Sequence, residues 1–195
     1  IVVSNAVRPP MGIEGKEHIT VSQKLYYNPN PNLSVLVYGS SFFMNTYDLI
    51  QDMTFSQARD WTAGTKVTYH VKDWFSVTGS LHADFYDRFK RHERIDKRQK
   101  DYESSIYQPR LTVTSNYFNG HSLILGMEHT SDELTSDRFS GNANHDLKTR
   151  ALKETEYFLQ DEWTINPRWM ISAGIRTNFS KAFGFMGMPK VAAKY

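Results

Sequence analysis

The feature that most constrains the fold is a series of long runs of residues that favour β-strands. Most of these runs contain at least 12 residues, whereas a strand in a soluble domain usually has about 5 or 6. The nine runs cover residues 16–28, 33–45, 60–71, 75–89, 102–118, 122–137, 150–165, 169–181 and 189–195. Because helix signals are scarce, the sequence predicts an all-β fold with about nine long antiparallel strands in up-and-down meander order.

The connections between the runs are of two alternating kinds. Short turns rich in Asn, Pro, Gly and Asp lie near 28–32, 72–73, 119–121 and 166–168. Long polar loops are predicted near 46–59, 90–101, 138–149 and 182–188. In a meander this alternation places every short turn at one end of the sheet and every long loop at the other. Outer-membrane barrels have this asymmetry.

Within the runs, apolar and polar side chains alternate with a period of two, as in a strand whose faces meet different surroundings. Over 75–85 the odd-numbered residues are apolar or small, and the even-numbered residues are Ser, Thr, His and Asp. Similar alternation covers 61–71 and 169–179. Ten residues of a tilted strand rise roughly 23 Å, close to the lipid-facing band of about 25 Å. The even-numbered face is too polar for a dry soluble core, so the pattern favours a segment of a large transmembrane β-barrel.

Aromatic residues cluster within about three residues of the short turns. Half-buried strands favour such residues in any case, but their position beside the turns is typical of a ring-rich girdle at a membrane interface. The predicted interface residues are Tyr26, Tyr27, Trp74, Phe75, Tyr117, Phe118, Trp163 and Trp169.

No residue pattern indicates catalysis, a cofactor or a metal site. The chain lacks nucleophile, phosphate-loop and zinc signatures, contains no cysteine, and has seven histidines without strong metal-ligand spacing. We therefore expect no enzyme activity, catalytic residue, metal or cofactor. Four residues that share the polar face of one predicted strand are candidates for ligand contact, although a polar lumen wall would contain the same types: His82, Asp84, Tyr86 and Arg88.

The charge pattern argues against a nucleic-acid partner. The formal net charge is only +2, and the basic run at 90–98 mixes both signs with little aromatic content. We interpret that run as a solvated external loop. The acidic stretch at 130–137 is too short to establish a calcium site. No apolar run reaches the length of about 18 residues that a transmembrane helix requires.

Three successive motifs carry a resemblance to a known family. An aromatic residue followed by Gln-Asp-Glu-Trp precedes a short turn, a Gly-x-Arg-x-Asn strand follows, and a Pro-Lys segment ends in tyrosine. The matching residues are Phe158, Gln160, Asp161, Glu162, Trp163, Gly174, Arg176, Asn178, Pro189, Lys190, Ala192 and Tyr195. With the Gly-x-Glu strand within 122–137, this arrangement resembles the barrel of TonB-dependent outer-membrane receptors. The resemblance is close over about 120–195, weaker over 60–118 and without motifs over 1–59.

The resemblance implies that residues 1–195 are a partial receptor barrel, without a plug domain, in the outer membrane of a Gram-negative bacterium. Such a receptor imports a scarce nutrient, namely an iron chelate, haem, cobalamin or an oligosaccharide, with TonB-coupled energy. The implied partners are outer-membrane lipid, an unknown nutrient and, through parts of a longer parent protein, the TonB complex. Family barrels have 22 strands, so about nine strands leave two open edges. We expect the isolated segment to fold back into two layers or to self-associate through those edges.

Two other functions remain open from the residues alone. The first is a passive outer-membrane channel or structural barrel without a plug. The second is a soluble β-sandwich binding module, which requires Phe75, Val77, Leu81 and Phe85 to pack in a dry core.

Overall fold

Ten β-strands make up almost all of the structure, a computed structural model that describes residues 2–4, 14–48, 53–92, 97–136, 139 and 147–195. The strands are β1 (Val2–Ser4), β2 (Glu14–Asn30), β3 (Leu33–Asp48), β4 (Met53–Lys72), β5 (Phe75–His92), β6 (Lys97–Ser115), β7 (His121–Ser136), β8 (Lys148–Asn166), β9 (Trp169–Ser180) and β10 (Gly184–Lys194). None of the described residues belongs to a helix that is long and apolar enough to cross a membrane.

All ten strands form one antiparallel sheet in the order in which they occur along the chain. The predicted meander of nine long strands is therefore confirmed as β2 to β10, and the three-residue β1 is an addition that the sequence pattern did not indicate. The expectation of two layers is wrong for the described strands, because substantial contacts join only successive strands. Each hairpin continues the ladder of the previous one, so the chain extends a single layer.

Short turns close one end of the sheet through local side-chain hydrogen bonds. Asn166 Oδ1 accepts from the backbone N–H groups of Arg168 (2.9 Å) and Trp169 (3.0 Å), which fixes the β8–β9 turn. At the β6–β7 turn Gly120 has φ of 78°, a left-handed conformation that glycine adopts without strain. Its carbonyl accepts from the Thr164 N–H at 2.7 Å and so joins two neighbouring hairpins.

The strands continue further into the predicted long loops than the sequence pattern indicates. The predicted loops at 46–59, 90–101 and 182–188 are corrected because strand pairing occupies 46–48, 53–59, 90–92, 97–101 and 184–188. Residues 49–52, 93–96, 137–138 and 140–146 lie outside the described residues. At 56–59 and 99–101 polar side chains occur on both faces, so the alternation weakens there while the backbone ladder persists.

Except in the short stretches beyond a bulge, the register places odd-numbered residues of β2 to β10 on one face and even-numbered residues on the other. Trp61 pairs with Phe85 and Thr65 pairs with Leu81 on the odd-numbered face, which we call the apolar face. The even-numbered face, called the polar face, carries mainly Ser, Thr, Lys, His, Asp and Glu. The two faces therefore differ in chemistry across the whole sheet, as the period-two pattern predicts.

The described part of the chain has almost no buried apolar core. Ala58 is its only buried hydrophobic residue, and large side chains such as Leu25, Trp61 and Val191 are about half exposed or more. The accessible surface is 14019 Å², whereas a compact monomer of 22.6 kDa would expose about 9,500 Å². The apolar face consequently needs an apolar environment that the chain itself does not supply.

Candidate functional site

Two of the four predicted ligand contacts are held by neighbouring strands of the polar face. His82 Nδ1 lies 3.0 Å from Tyr38 Oη, and the two rings stack with centroids 6.1 Å apart. The Tyr38 ring lies over Gly64, whose missing Cβ leaves room for it. Asp84 Oδ2 accepts a hydrogen bond of 2.9 Å from Thr62 Oγ1. These side chains brace the sheet between β3 and β5.

The other two predicted contacts, Tyr86 and Arg88, belong to a cluster of rings and charges near the long-loop end. Arg88 Nε lies 3.1 and 3.2 Å from the two carboxylate oxygens of Asp101, and its Nη2 lies 2.8 Å from Oδ2. The guanidinium carbon is 5.4 Å from the centre of the Tyr102 ring. The rings of Tyr86 and Tyr102 meet edge to face at 5.5 Å. We call these four residues the Arg88 cluster.

A register shift between β5 and β6 brings Asp101 into this cluster. Arg88 pairs with Tyr102, but the next residue of β5 pairs with Lys100, so Asp101 is the extra residue of a bulge. The bulge turns the odd-numbered Asp101 towards Arg88 on the polar face. The carboxylate is almost fully buried, and Lys90 Nζ approaches it at 3.5 Å. One carboxylate is thus shared by two cations.

Further cations and rings follow on the polar face at the same end of the sheet. The guanidinium carbon of Arg150 on β8 lies 4.5 Å from the centre of the Phe139 ring. The register aligns Arg150 with Leu134 of β7, which in turn pairs with Ser104 beside the Arg88 cluster. Cation and ring chemistry therefore spans β5 to β8 at the long-loop end.

A second charged group crosses the middle of the polar face. Arg110 Nη1 lies 3.5 Å from Glu128 Oε2, and its guanidinium carbon is 4.8 Å from the centre of the Phe158 ring. Arg176 Nη2 lies 2.6 Å from Glu156 Oε1 in an ion pair that lacks hydrogen-bond angles. Several of these residues belong to the sequence motifs at Gly126, Phe158 and Gly174. Cross-strand pairing thus joins motifs that are separate in the sequence.

A polar belt crosses the apolar face at its long-loop end. Tyr47 donates to Glu17 Oε2 at 2.7 Å, and Asn45 Nδ2 donates to Tyr47 Oη at 3.4 Å. Gln57 Nε2 then donates to Asn45 Oδ1 at 3.1 Å, and Arg59 Nη2 donates to Gln57 Oε1 at 3.3 Å. This row of hydrogen-bonded side chains, which we call the outer belt, marks the level at which the apolar face becomes polar.

The predicted interface aromatics lie at the short-turn end, where several contact one another. Trp74 and Tyr117 bring the β4–β5 and β6–β7 turns together, with ring centroids 4.9 Å apart. Trp163 stacks on His121 at 5.3 Å, and Trp169 meets Tyr195 at 4.8 Å. Tyr26, Tyr27, Tyr117 and Phe118 are each more than 60% exposed. The rings therefore form an exposed aromatic edge along the short turns, with Phe75 beside Trp74.

The structure brings together residues that the sequence analysis did not single out. Asp101 and Tyr102 lie at the border of a predicted loop. Arg59 is odd-numbered, whereas the candidate ligand contacts were all even-numbered. The opposite charges of Arg88 and Asp101 were a possible signal, but only the bulge makes them neighbours. Among the described residues, no group of three or more His, Cys, Asp or Glu side chains is placed to hold a metal ion.

Comparison with known proteins identifies the family. The family model described as "TonB dependent receptor-like, beta-barrel" matches residues 15–195. The chain belongs to the TonB-dependent receptor family. Its sheet is accordingly part of an outer-membrane β-barrel of a Gram-negative bacterium, and the family is one of transporters and not of enzymes. This excludes the soluble β-sandwich.

Solved structures of siderophore receptors share the fold at low sequence identity. A mutant of the ferric enterobactin receptor PfeA from Pseudomonas aeruginosa has a TM-score of 0.79 at 13% identity, covering 97% of this chain and 33% of its own. The siderophore receptor PirA from Acinetobacter baumannii has a TM-score of 0.73 at 12% identity, covering 92% of this chain and 31% of its own. The siderophore receptor PiuA from Acinetobacter baumannii has a TM-score of 0.66 at 9% identity, covering 98% of this chain and 40% of its own. The chain thus spans about a third of the first two structures. No curated protein matches it.

Family membership assigns the two faces of the sheet. In an outer-membrane barrel the apolar face contacts lipid and the polar face lines the lumen. The ten strands are one stretch of such a wall, with the Arg88 cluster on its lumen side. In the barrel, lipid therefore covers the apolar side chains that are half exposed in this chain.

Proposed function

We propose that the chain forms part of the wall of a receptor that imports a siderophore-type iron chelate with TonB-coupled energy. The observation that carries the proposal is the Arg88 cluster with Lys90 beside it and Arg150 on β8 at the same end of the polar face. Cations attract an anionic chelate, and tyrosine rings stack on aromatic groups. A neutral oligosaccharide lacks the negative charge that these cations attract, so it fits this combination less well.

The similar structures support the same choice of nutrient. PfeA is described as a ferric enterobactin receptor, and one structure contains bound enterobactin. PirA and PiuA are described as siderophore receptors. An iron chelate is therefore the nutrient class that this chain shares with its structural neighbours under the proposal.

The four residues predicted from the sequence take different roles in this proposal. Tyr86 and Arg88 contact the ligand at the outer mouth of the lumen. His82 and Asp84 serve the wall, because their polar atoms already bond to Tyr38 and Thr62. A plug and a TonB-contacting segment, both supplied by parts of the parent protein beyond this sequence, couple energy to the release of the ligand.

The aromatic edge is proposed to lie at the membrane interface on the side of the short turns. Amphipathic rings are stable at the headgroup level, and the apolar face begins immediately beside them. We propose this position for Tyr26, Tyr27, Trp74, Phe75, Tyr117, Phe118, Trp163 and Trp169.

In the whole barrel β10 pairs with a further strand, and the isolated segment would self-associate through its edges.

Uptake of radiolabelled iron tests the proposal. The full-length receptor is produced in a Gram-negative host that lacks its own siderophore receptors, and ferric enterobactin is the probe. We expect uptake that requires TonB, and a KM several-fold higher in Arg88→Gln. Lys66→Gln, which removes a cation from another level of the polar face, should leave KM unchanged. Heat-modifiable migration in gels verifies that each variant folds.

Three results would overturn parts of the proposal. Uptake that continues without TonB would indicate a passive channel. Uptake of a different nutrient class, with none of ferric enterobactin, would reject the siderophore assignment. Equal effects of Arg88→Gln and Lys66→Gln on KM would show that the Arg88 cluster is not part of the ligand site. The assignment of the protein as an importer would be unaffected.

A further inference from the structure

A depression interrupts the apolar face where β2, β3 and β4 meet. Gly39 lines this depression and pairs with Ala63 of β4, so the two strands carry almost no side-chain volume at this level. Larger residues surround it, so a cavity of about 540 Å³ opens towards the lipid side. This volume lies within the range of small-ligand sites, about 300–1,000 Å³. The lining side chains are mainly apolar, with Val21, Leu25, Val37 and Trp61, and include the polar Gln23 and Ser41.

Aromatic residues close the long-loop end of this depression. The rings of Phe43 and Trp61 meet edge to face with centroids 5.4 Å apart. Trp61 lies two residues before Ala63 on the same face of β4 and is 51% exposed. The depression is therefore an apolar groove that runs beneath an aromatic rim and ends at the outer belt.

Arg59 lies immediately beyond this rim, on the same face of β4. Its guanidinium carbon is 5.6 Å from the centre of the Phe89 ring, and its one hydrogen bond is to the neutral Gln57 side chain. Asp87 lies opposite in the register, but its carboxylate binds Lys100 at 2.8 Å. No carboxylate of the described residues forms an ion pair with Arg59, so an exposed positive charge stands at the border of the lipid band.

We propose that the groove and Arg59 together bind one anionic, phosphate-bearing lipid of the outer leaflet. The acyl chain occupies the groove over Gly39 and Ala63, and the headgroup phosphate contacts the Arg59 guanidinium. Arg59 and Ala63 are four residues apart on β4, about 13 Å along the strand. This separation places a phosphate at the polar border and the upper part of its acyl chain over the groove floor. Arginine suits phosphate because its planar N–H groups match two oxygens.

The charge at the rim favours a lipid over a second copy of the chain. A second copy that covered this groove with the same apolar face would press two Arg59 guanidinium groups, neither paired with a described carboxylate, against an apolar surface. An anionic lipid instead brings a negative charge to Arg59 and leaves the side chain at the headgroup level, where long basic side chains extend. The inference depends on family membership and not on the identity of the nutrient.

Native mass spectrometry of the full-length receptor in detergent tests this inference. The receptor is titrated separately with phosphatidylglycerol and phosphatidylcholine that carry identical acyl chains, and bound lipids are counted. We expect the first phosphatidylglycerol to bind about fivefold more tightly, the effect of one basic side chain at an anionic surface. Arg59→Gln should remove this preference and Arg59→Lys should retain much of it. Arg168→Gln, a loss of charge at the short-turn end, should leave it intact.

The groove is tested separately by filling it. A Cβ on Gly39 has only Thr62 O nearby, at 3.4 Å, so Gly39→Leu fits the backbone and should weaken binding of both lipids. Gly79→Leu is the matched control, because a Cβ there meets no atom within 4 Å and Gly79 lies outside the groove lining. Equal affinity for the two lipids, equal effects of Arg59→Gln and Arg168→Gln, or a receptor dimer that Gly39→Leu abolishes would each overturn the proposal.

Discussion

The two faces of this sheet are built from the same strands but follow opposite rules for burial and charge. On the apolar face Leu81 and Val191 remain exposed in the isolated chain because their partner is lipid. On the polar face Asp101 is almost fully buried, held by Arg88 and Lys90. The hydrophobic side chains are thus outside and a charged side chain is inside, the reverse of a soluble domain.

The surroundings of each face, and not a central core, therefore stabilise this sheet. The backbone ladder holds both faces, and on the polar face neighbouring side chains shield the Asp101 carboxylate from solvent in its pair with Arg88. Exposed pairs such as Lys100 with Glu103, at 3.3 Å, occur on the apolar side beyond the aromatic rim. Substitutions of similar size should therefore have different effects on the two faces.

The largest expected difference comes from placing a charge in the lipid band. Leu81→Arg should destabilise the full-length receptor in lipid vesicles by about 2–4 kcal/mol, because the guanidinium enters hydrocarbon. Thr78→Arg on the polar face loses one hydroxyl contact with Thr68 and should cost about 1 kcal/mol or less. Urea unfolding followed by tryptophan fluorescence measures both. Equal losses would mean that Leu81 does not face lipid.

A smaller difference should separate two carboxylates that bind cations on opposite faces. Asp101→Asn removes the counter-charge of the bidentate Arg88 pair and should cost about 1.5–3 kcal/mol. Glu103→Gln breaks a half-exposed contact with Lys100 and should cost less than about 1 kcal/mol. The same urea titration compares them. A larger loss for Glu103→Gln would reverse the assigned roles of the two pairs.

The last comparison concerns two glycines, and the larger of its two expected effects is below those of the previous pairs. A Cβ on Gly126 would lie 2.2 Å from the Phe158 ring and 2.8 Å from the Leu111 carbonyl oxygen, so Gly126→Ala should cost about 1–3 kcal/mol. Gly79→Ala on the apolar face meets no atom within 4 Å and should not destabilise the receptor. If thermal melting shows equal shifts for both, the ring of Phe158 does not rest on Gly126.

Much of the fold could be predicted because its determinants are local. The alternation at 75–85 identifies both faces, and the Asn-Pro and Asn-Gly turns set the hairpin order. The polar-face partners of His82 and Arg88 could not be predicted in the same way. Tyr38 lies 44 residues from His82 and becomes its neighbour through the register of three strands. Asp101 joins Arg88 through a one-residue bulge, which changes the face of every residue beyond it.

The outer belt and the groove were missed for a related reason. Gly39, Ala63 and Trp61 each fit the period-two pattern, so none of them stands out along its own strand. Only the cross-strand alignment of small residues forms the depression. A pattern read along one strand contains no information about the size of the side chain on the next strand.

The central claim is that the odd-numbered face contacts lipid and the even-numbered face contacts water, and site-directed spin labelling tests it most directly. Labels are placed singly at each position from 75 to 85 in the full-length receptor in lipid bilayers. Accessibility to molecular oxygen, which concentrates in lipid, is compared with accessibility to a water-soluble nickel chelate. The account predicts a period of two, with oxygen accessibility highest at odd positions. An absent period, or maxima at even positions, would contradict it.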